Sequence, residues 1–382
     1  MSVDPRSLAV ATAGFAAFVN LYSPQALLPE LAREFGVGAG EISWLMTAST
    51  AAIALTAPFT GAIADVVGRK RLITAAMFAI TVPTLLMTLA GDVPQLAFWR
   101  FVQGMLVPPI FTVTVAYIGD EWPRNDVARV AGLYIAGASV GGFCGRFIPG
   151  IFADLIGWRA AFGVVGLLTL AAAIIVALTL PRERHFVPSG GLAASMRQMA
   201  RHLRDPRLLG TYAVGFGVLF NFIATFTYVG FHLAAPPYNF SPTLLGSLFL
   251  TYLVSSVLVP WVGRAIALFG RRRFVLGTIA LWIVGALLML AAPVAVILVG
   301  LTLCAICGMV CQAVATGYVT MTASEGRSSA VGLYGSLYYV GGSAGAYLTG
   351  LAWNAAGWGG CVATIVAMQV IIAAIVAMTW KQ

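Results

Sequence analysis

The sequence predicts an all-α membrane protein with twelve transmembrane helices in two similar halves of six. The chain has 382 residues, of which 60% are hydrophobic and only 9% are charged. A water-soluble domain of this length could not bury so much apolar surface. Apolar runs of about 20 residues, long enough for a helix to cross a bilayer, occupy positions 8–28, 42–60, 72–90, 96–118, 129–153, 159–180, 208–231, 244–262, 274–292, 294–318, 329–351 and 359–380.

An internal repeat supports the division into halves. The turn Gly61–Arg71 between spans two and three returns as Gly263–Arg273 between spans eight and nine, and an offset of 200 residues aligns Gly132–Trp158 with Gly332–Trp358 at many glycines. The longest interruption, rich in arginine, lies between the repeats. We therefore expect an N-terminal half at 1–182, a linker at 183–207 and a C-terminal half at 208–382, with the substrate path between the halves.

The charge distribution predicts the orientation. The net charge is +9, and all but four of the 22 Lys and Arg residues fall on one side of the predicted spans; the exceptions are Arg33, Arg100, Arg146 and Arg159. Basic loops mark the cytoplasmic side, so both termini and the linker are expected there. The linker places Leu192, Met196, Met199 and Leu203 at helical spacing, which favours an amphipathic helix on the inner leaflet. A lipid bilayer, rather than nucleic acid, explains the positive charge.

Two motifs identify the chain as resembling a known family. Gly61, Asp65, Gly68 and Arg69–Arg71 resemble the signature loop of the major facilitator superfamily, and Arg100-x2-Gln103-Gly104 resembles a second motif. The glycines of span five, Gly137, Gly141, Gly142 and Gly145, are similar to part of the antiporter motif of drug:proton exporters, although its Gly-Pro dipeptide is missing. The chain looks most like bacterial exporters of the acriflavine-sensitivity type. This resemblance implies a monomeric secondary transporter of the bacterial inner membrane that works by alternating access.

The resemblance also implies a gating region at the cytoplasmic ends of the N-terminal spans. In the family the signature loop locks the two halves together through a charge network. Glycine allows close helix approach, and Asp65 can pair with Arg69. The second copy has Ala267 in place of the acid, so we expect it to serve topology alone. The candidate gating residues are Gly61, Asp65, Gly68, Arg69, Asp120 and Arg129.

Charged and polar residues inside the spans are the candidates for the substrate cavity. Arg100 and Arg146 stand out because ionisable groups are costly in a membrane and usually face a cavity or a partner. Asn221, Thr225 and Tyr228 share one face of span seven. Together with polar and aromatic side chains of spans one, four and eleven they form the predicted set: Asn20, Tyr22, Gln25, Arg100, Gln103, Arg146, Asn221, Thr225, Tyr228, Tyr338 and Tyr339.

The energy source is predicted to be an ion gradient. No Gly-x4-Gly-Lys-Ser/Thr run exists in the sequence, and such a run would be expected for ATP binding. Every acid lies near a membrane face, so the candidates for carrying a coupling proton are Glu30, Asp154 and His232. Cys304, Cys307 and Cys311 lie on one helical face and are interpreted as packing residues rather than a metal site. We expect no cofactor.

The favoured function at this stage is proton-coupled efflux of small amphipathic compounds or drugs. An organic-anion transporter is the alternative, because Arg100 and Arg146 would give a positive cavity without a deep acid. A non-transporting receptor or scaffold would not need charges inside its spans. An enzyme is not expected, because no nucleophile, base and orienting group converge in a readable motif.

Overall fold

The computed structural model describes residues 4–184, 192–258, 261–323 and 327–380. It confirms the all-α fold with twelve spans in two halves. In the N-terminal half, spans one to six are α1 (Pro5–Tyr22), α4 (Trp44–Val67), α5 (Arg69–Leu86), α6 (Val93–Glu121), α7 (Arg124–Ile156) and α8 (Trp158–Thr179). Two short helices, α2 (Leu28–Phe35) and α3 (Ala39–Ile42), connect the first two spans.

The C-terminal half repeats this order with two irregularities. Span seven is α10 (Pro206–Ala234), span nine is α14 (Arg271–Leu288) and span ten is α15 (Val294–Thr322). Span eight is interrupted by a turn between α11 (Pro242–Ser247) and α12 (Leu250–Leu258) and ends with α13 (Val262–Phe269), while positions 259 and 260 lie outside the described residues. Spans eleven and twelve form one continuous assignment, α16 (Arg327–Thr379), with a kink at Ala356 and Gly357, where Gly357 has a φ of 59°.

Several helices extend beyond the apolar runs that predict them. Among the described residues, eight helices are long and apolar enough to cross a membrane by length and composition. That number counts α16 once, and it leaves out α1, α14 and span eight.

The helices α6 and α15 extend past the apolar runs that predict them, and they end at Glu121 and Thr322. A helix can continue into water after its apolar stretch ends. The apolar pattern therefore marks the membrane interior rather than the helix ends.

Glycine contacts pack the same pair of helices in each half. A Cβ at Gly137 or Gly141 of α7 would fall well inside van der Waals distance of a carbonyl oxygen of α1, and Gly341 of α16 stands in the same relation to α10. Close approach of this kind is what small residues provide between membrane helices. Because the contact occurs in both halves, the glycines that resemble an antiporter motif have a packing role that is independent of any exchange reaction.

The linker helix packs against the C-terminal half. The helix α9 (Leu192–His202) contacts the beginning of α16, where Ser329 donates a hydrogen bond of 3.0 Å to Gln198 Oε1 and the Met199 methyl lies beside Gly332. Met196 remains about half exposed. One part of the predicted amphipathic face is thus used for packing on the protein. Positions 185–191 of the linker lie outside the described residues.

The two halves meet on the side away from the basic loops. We call the side that carries Arg69–Arg71 and Arg271–Arg273 the basic face, and the other side the opposite face. On the opposite face Thr50 of α4 shares a hydrogen bond of 2.8 Å with Ser343 of α16, and the Trp44 and Tyr347 ring centroids are 5.6 Å apart. These contacts join spans two and eleven between the opposite face and the middle of the bundle. The structure is therefore closed on its opposite face.

Replacing Gly141 with Ala should destabilise the protein. The added methyl group must displace the α1 backbone, and overpacking of this kind costs about 1–3 kcal/mol. The matched control is Gly132→Ala on the same helix, because no atom lies within 4 Å of a Cβ at that position. The thermal unfolding temperature in detergent should fall for the first variant and stay equal or rise slightly for the second. Equal unfolding temperatures would contradict the packing role.

Candidate substrate site between the two halves

Arg146 is buried near the middle of α7 with only 3% of its surface exposed. Its Nε donates to Gln25 Oε1 at 2.8 Å and its Nη1 donates to the Gly142 carbonyl at 2.6 Å. The guanidinium carbon lies 3.8 Å from the centre of the Tyr22 ring and 4.0 Å from that of Phe249. Aromatic faces attract a cation through their quadrupole, so the two rings hold the charged group between them.

The contacts of Arg146 join the two halves of the protein. Tyr22 and Gln25 belong to the N-terminal half, whereas Phe249 and Tyr252 belong to span eight, with the Tyr252 ring centre 5.3 Å from the guanidinium carbon. Gln25 extends the connection, because its Nε2 donates to Thr227 Oγ1 of span seven at 3.1 Å. Arg146 therefore lies at the boundary that a transporter of two moving halves would change.

The positive charge of Arg146 is not neutralised by an acid. Among the described residues no carboxylate pairs with Arg146, and its remaining polar contact is with the side chain of Tyr22. A buried charge without a counter-ion is strongly unfavourable. The geometry thus provides a fixed cation without an acidic partner in the described part of the chain, which suits an anionic ligand.

A cluster of tyrosines lies beside Arg146. The ring centroids of Tyr338 and Tyr339 are 5.5 Å apart, and those of Tyr334 and Tyr338 are 6.1 Å apart. Tyr22 is close enough to interact electrostatically with both Tyr338 and Tyr339. These rings offer apolar surface with hydroxyl groups at the edge. Of the predicted cavity residues, the structure brings together Tyr22, Gln25, Arg146, Tyr338 and Tyr339.

Sequence reasoning missed three residues of this site. Phe249, Tyr252 and Thr227 contact Arg146 or Gln25, but none of them stands out in the sequence. An aromatic residue or a threonine in an apolar span is ordinary packing material, and no local pattern tells which face meets the other half. Only the three-dimensional arrangement of spans five, seven and eight identifies them.

Arg100 lies elsewhere, in the interior of the N-terminal half. The side chain is fully buried and donates to the carbonyl oxygens of Asn20 and Leu21 and to Ser49 Oγ. Its Nη1 also donates to Gln103 Oε1 at 2.6 Å. With its donors engaged inside one half, Arg100 ties spans one, two and four together.

Asn20 and Gln103 complete this buried network. Asn20 Nδ2 donates to Thr169 Oγ1 at 2.8 Å, and Asn20 Oδ1 accepts from Thr84 Oγ1 at 2.7 Å. Gln103 Nε2 donates to Thr84 Oγ1 at 2.6 Å. Polar networks that are fully satisfied rigidify the interior in which they lie. The structure thus separates Asn20, Arg100 and Gln103 from the Arg146 site.

The predicted residues of span seven are also buried away from Arg146. Asn221 Nδ2 donates to the Gly217 carbonyl of its own helix at 2.8 Å. The Tyr228 hydroxyl donates to the Ala346 carbonyl at 2.6 Å, which joins spans seven and eleven. Thr225 is 1% exposed on the same helix. His232, near the opposite face, stacks on Trp358 with ring centroids 5.1 Å apart.

The cationic turn after span two forms part of the predicted charge network. Arg69 and Asp120 form a salt bridge of 2.5 Å, and Asp65 lies near enough to influence Asp120 electrostatically. Gly68 has a φ of 90°, a left-handed backbone that favours glycine. Glu183, which sequence reasoning missed, accepts from the backbone N–H groups of Arg69 and Lys70 at 3.1 and 3.3 Å. It caps the beginning of α5.

Two predicted gating residues are placed differently. Arg129 lies in the first turns of α7 and pairs with Asp126 at 3.4 Å instead of with Asp120. A Cβ at Gly61 would have no atom within 4 Å, so the close packing expected there is not formed in this conformation. In the second copy of the turn Arg271 contacts Met321 Sδ at 3.2 Å, where the first copy has an acid.

Two carboxylates lie together on the opposite face. Asp154 Oδ2 accepts from Ser241 Oγ at 2.8 Å and from the backbone N–H of Thr243 at 2.9 Å, so an acid of span five holds the start of span eight. Glu30 on α2 is half-buried; its burial, and then the nearby Asp154 charge, raise the pKa of the Glu30 carboxyl. Among the described residues no group of His, Cys, Asp or Glu side chains could hold a metal ion.

Replacing Arg100 with Met should destabilise the protein. The change leaves several buried acceptors of spans one, two and four without a donor, and each costs about 1–3 kcal/mol. The control is Arg159→Met, because that side chain is half exposed and pairs with Glu34 on the opposite face. Thermal unfolding should separate the two variants. A normal unfolding temperature for Arg100→Met would contradict the structural role.

Comparison with known proteins identifies the family. The sequence profile of the Major Facilitator Superfamily matches residues 10–238. The chain is 32% identical over 371 residues to the inner membrane transport protein YnfM of Escherichia coli, covering 97% of this chain and 89% of that protein. It is 29% identical over 363 residues to the uncharacterized MFS-type transporter YybF of Bacillus subtilis, with coverage of 94% and 89%.

A solved structure shows the same fold. The crystal structure of a bacterial homolog of the human lysosomal transporter Spinster, in an inward-facing and unoccupied conformation, has a TM-score of 0.82 at 15% identity and covers 99% of this chain and 98% of that chain. The fold and the two relatives extend over both halves, and the profile covers the N-terminal half and the first span of the second. The chain therefore belongs to the major facilitator superfamily and is a multi-pass membrane transporter, not an enzyme.

Proposed function

We propose that this transporter carries small organic anions across the membrane by alternating access, with Arg146 binding the anionic group. The observation that supports this most is the buried guanidinium that contacts both halves and has no acidic partner among the described residues. Arginine offers a planar fork of donors that matches a carboxylate. The anion would supply the counter-charge that Arg146 lacks.

The tyrosine cluster defines the rest of the ligand. Tyr22 presents its ring face to the guanidinium, and Tyr338 and Tyr339 lie within electrostatic reach of Tyr22. Aromatic surfaces of this kind pack against flat apolar groups. A small carboxylate with an aromatic or aliphatic body therefore fits the site better than an inorganic anion. Binding sites with mostly apolar walls and a few convergent polar groups are typical of small-molecule recognition.

The position of Arg146 explains how binding could be linked to movement. Phe249 and Tyr252 lie on one half while Gln25 and Tyr22 lie on the other, so rocking of the halves about this level must alter the contacts around the cation. A ligand changes a conformational equilibrium only through different contacts in the two states. A site at the boundary satisfies that requirement, whereas Arg100, enclosed in one half, does not.

The closed opposite face is the outer face if the basic face is cytoplasmic. The distribution of Lys and Arg favours that orientation, with both termini inside. The conformation described here then corresponds to an inward-facing state. Transport would require the contacts between Thr50 and Ser343 and between Trp44 and Tyr347 to separate. We propose that protons are the coupling ion, with the acids of the opposite face as the groups that exchange them.

Proton-coupled efflux of amphipathic compounds is the second candidate. The tyrosine cluster favours it, because aromatic faces also bind organic cations and flat dyes. The resemblance to exporters of the acriflavine-sensitivity type points the same way. The unneutralised Arg146 opposes it, because a cationic ligand would have to lie beside a fixed positive charge. The two candidates therefore differ in what Arg146 should do.

Replacing Arg146 with Gln should weaken the binding and transport of organic anions about 10- to 150-fold, which corresponds to the loss of hydrogen bonds to a charged group. The measurement is uptake of aromatic monocarboxylates by proteoliposomes, together with ligand-induced thermal stabilisation of the purified protein. Arg146→Lys keeps the charge but not the fork and should recover only part of the affinity.

The matched control is Arg159→Gln, which removes an exposed arginine from the opposite face and should leave transport unchanged. Cationic dyes provide the test between the two candidates. Loss of anion binding with normal or improved dye binding would support the anion site. Equal loss of both, with a normal unfolding temperature, would contradict it.

A further inference from the structure

We propose that Glu30 is a proton-binding site that controls the opening of the opposite face, and that it acts through the neighbouring contact of Asp154 with span eight. If the proposed transport function holds, Glu30 is the place where a coupling proton binds, and to that extent the inference rests on the proposed function. The contacts of the opposite face define the site independently of the substrate.

Asp154 provides the contact between the halves. The residue lies near the end of α7, and its Oδ2 accepts from both the Ser241 hydroxyl and the Thr243 backbone N–H of the other half. Gly150, one turn earlier on α7, packs against the backbone of Pro242. These bonds require span eight to lie directly against span five. They can exist only while the opposite face is closed.

Glu30 lies beside this contact without a complete set of partners. The carboxylate faces the backbone N–H of Trp158, while Oε2 is buried and has no hydrogen-bond partner among the described residues. An ionised carboxylate needs several donors when it leaves water. Burial, and then the charges of Asp154 and Glu34, raise the pKa of Glu30 against the opposing effect of Arg33.

The other charged groups around Glu30 are already engaged or exposed. Glu34 on the same helix pairs with Arg159 of α8 at 3.4 Å, and Glu41 on α3 is exposed to solvent. On α10, which packs against α2, the titratable groups toward the opposite face are His232, stacked on Trp358, and Tyr228, which donates to the Ala346 carbonyl. Arg33 is the cation that lowers the Glu30 pKa against the effect of Asp154. Among the described residues, Arg33 forms no ion pair with an acid.

The proton therefore favours the closed state. When Glu30 is protonated, Asp154 keeps its two bonds without a like charge beside it, and the closed face is stabilised. When the Glu30 proton leaves to solvent, two negative carboxylates face each other in a partly buried site, which is unfavourable. Opening of the face hydrates Glu30 and returns its pKa toward the ordinary value. The closed state is therefore fully favoured at a pH below the ordinary pKa of Glu30, which applies when the face is open. It is weakened as the pH rises through the raised pKa that Glu30 has when the face is closed.

The distance between the halves on the opposite face is the direct measurement. Spin labels at Gly91→Cys and Ala292→Cys, in a background with the five native cysteines replaced, report on exposed loops of the two halves. In nanodiscs without substrate, the fraction with the short distance should fall as pH rises above the ordinary range of a glutamate carboxyl, because the raised pKa of Glu30 places its ionisation there. Glu30→Gln should keep the short distance at every pH.

Three further variants give the proposal its controls. Glu34→Gln should shift the midpoint less than Asp154→Asn does, because Glu34 pairs with Arg159 and its charge acts on Glu30 more weakly than that of Asp154. Asp154→Asn keeps an acceptor oxygen but removes the charge, so the midpoint should move to lower pH. Arg146→Gln should retain the pH response, which separates this inference from the proposed anion site. A parent protein without a pH response, or a Glu30→Gln variant that responds like the parent, would overturn the proposal.

Discussion

The central constraint on this structure is that a charge placed inside a membrane protein must be satisfied by the protein or by a ligand. Two arginines, Arg100 and Arg146, lie inside the bundle of membrane spans, and their surroundings differ. Arg100 is surrounded by carbonyl and hydroxyl oxygens of its own half, so its charge is solvated by fixed dipoles and stabilises the bundle. Arg146 has two hydrogen-bonded nitrogens and aromatic neighbours, which solvate it only partly. That difference is why a binding role is assigned to Arg146 alone.

The duplicated halves share packing but not charge. Tyr134 packs on Gly14 in the N-terminal half, and Tyr334 packs on Gly215 in the C-terminal half. In contrast, Met321 takes the place of Asp120 opposite the cationic turn. A glycine contact is needed wherever two backbones approach closely, so both copies require it. A charge is needed only where it takes part in gating or binding, and the second copy lacks the acid opposite its cationic turn.

Ala346 occupies the position in the second half that corresponds to Arg146 in the first. At an offset of 200 residues it corresponds to Arg146, and its carbonyl oxygen accepts hydrogen bonds from Tyr228 and from Ser43 of the other half. Two equivalent positions therefore both contribute to the boundary between the halves, one through a side chain and one through its backbone. The Ala346 backbone joins the two halves on the opposite face, while the Arg146 side chain lies at the boundary without an acidic partner among the described residues.

Much of the fold and a part of the site could be predicted from the sequence. Apolar length, the repeat and the distribution of arginine predicted twelve spans in two halves, because each depends on composition or local spacing. The same reasoning placed Arg100 and Arg146 in one cavity, whereas the structure places Arg100 inside the N-terminal half and Arg146 at the boundary between the halves. The sequence indicates how deep a residue lies in the membrane, but it does not indicate toward which neighbour its side chain points. Phe249, Tyr252 and Glu183 were missed for a related reason: their roles come from contacts with distant segments.

One segment of α7 connects the central site with the opposite face. Arg146 and Asp154 are about two turns apart on this helix, or about 12 Å at 1.5 Å per residue, and Pro149 lies between them. Proline removes a backbone hydrogen bond and allows a helix to bend at that point. The same segment packs tightly on span eight, where Gly246 approaches the Arg146 carbonyl and Gly150 approaches Pro242. A ligand bound at Arg146 and the release of the Glu30 proton, which weakens the Asp154 contact, would therefore act on one short, bendable stretch of helix, so the two events can be coupled without a longer path through the protein.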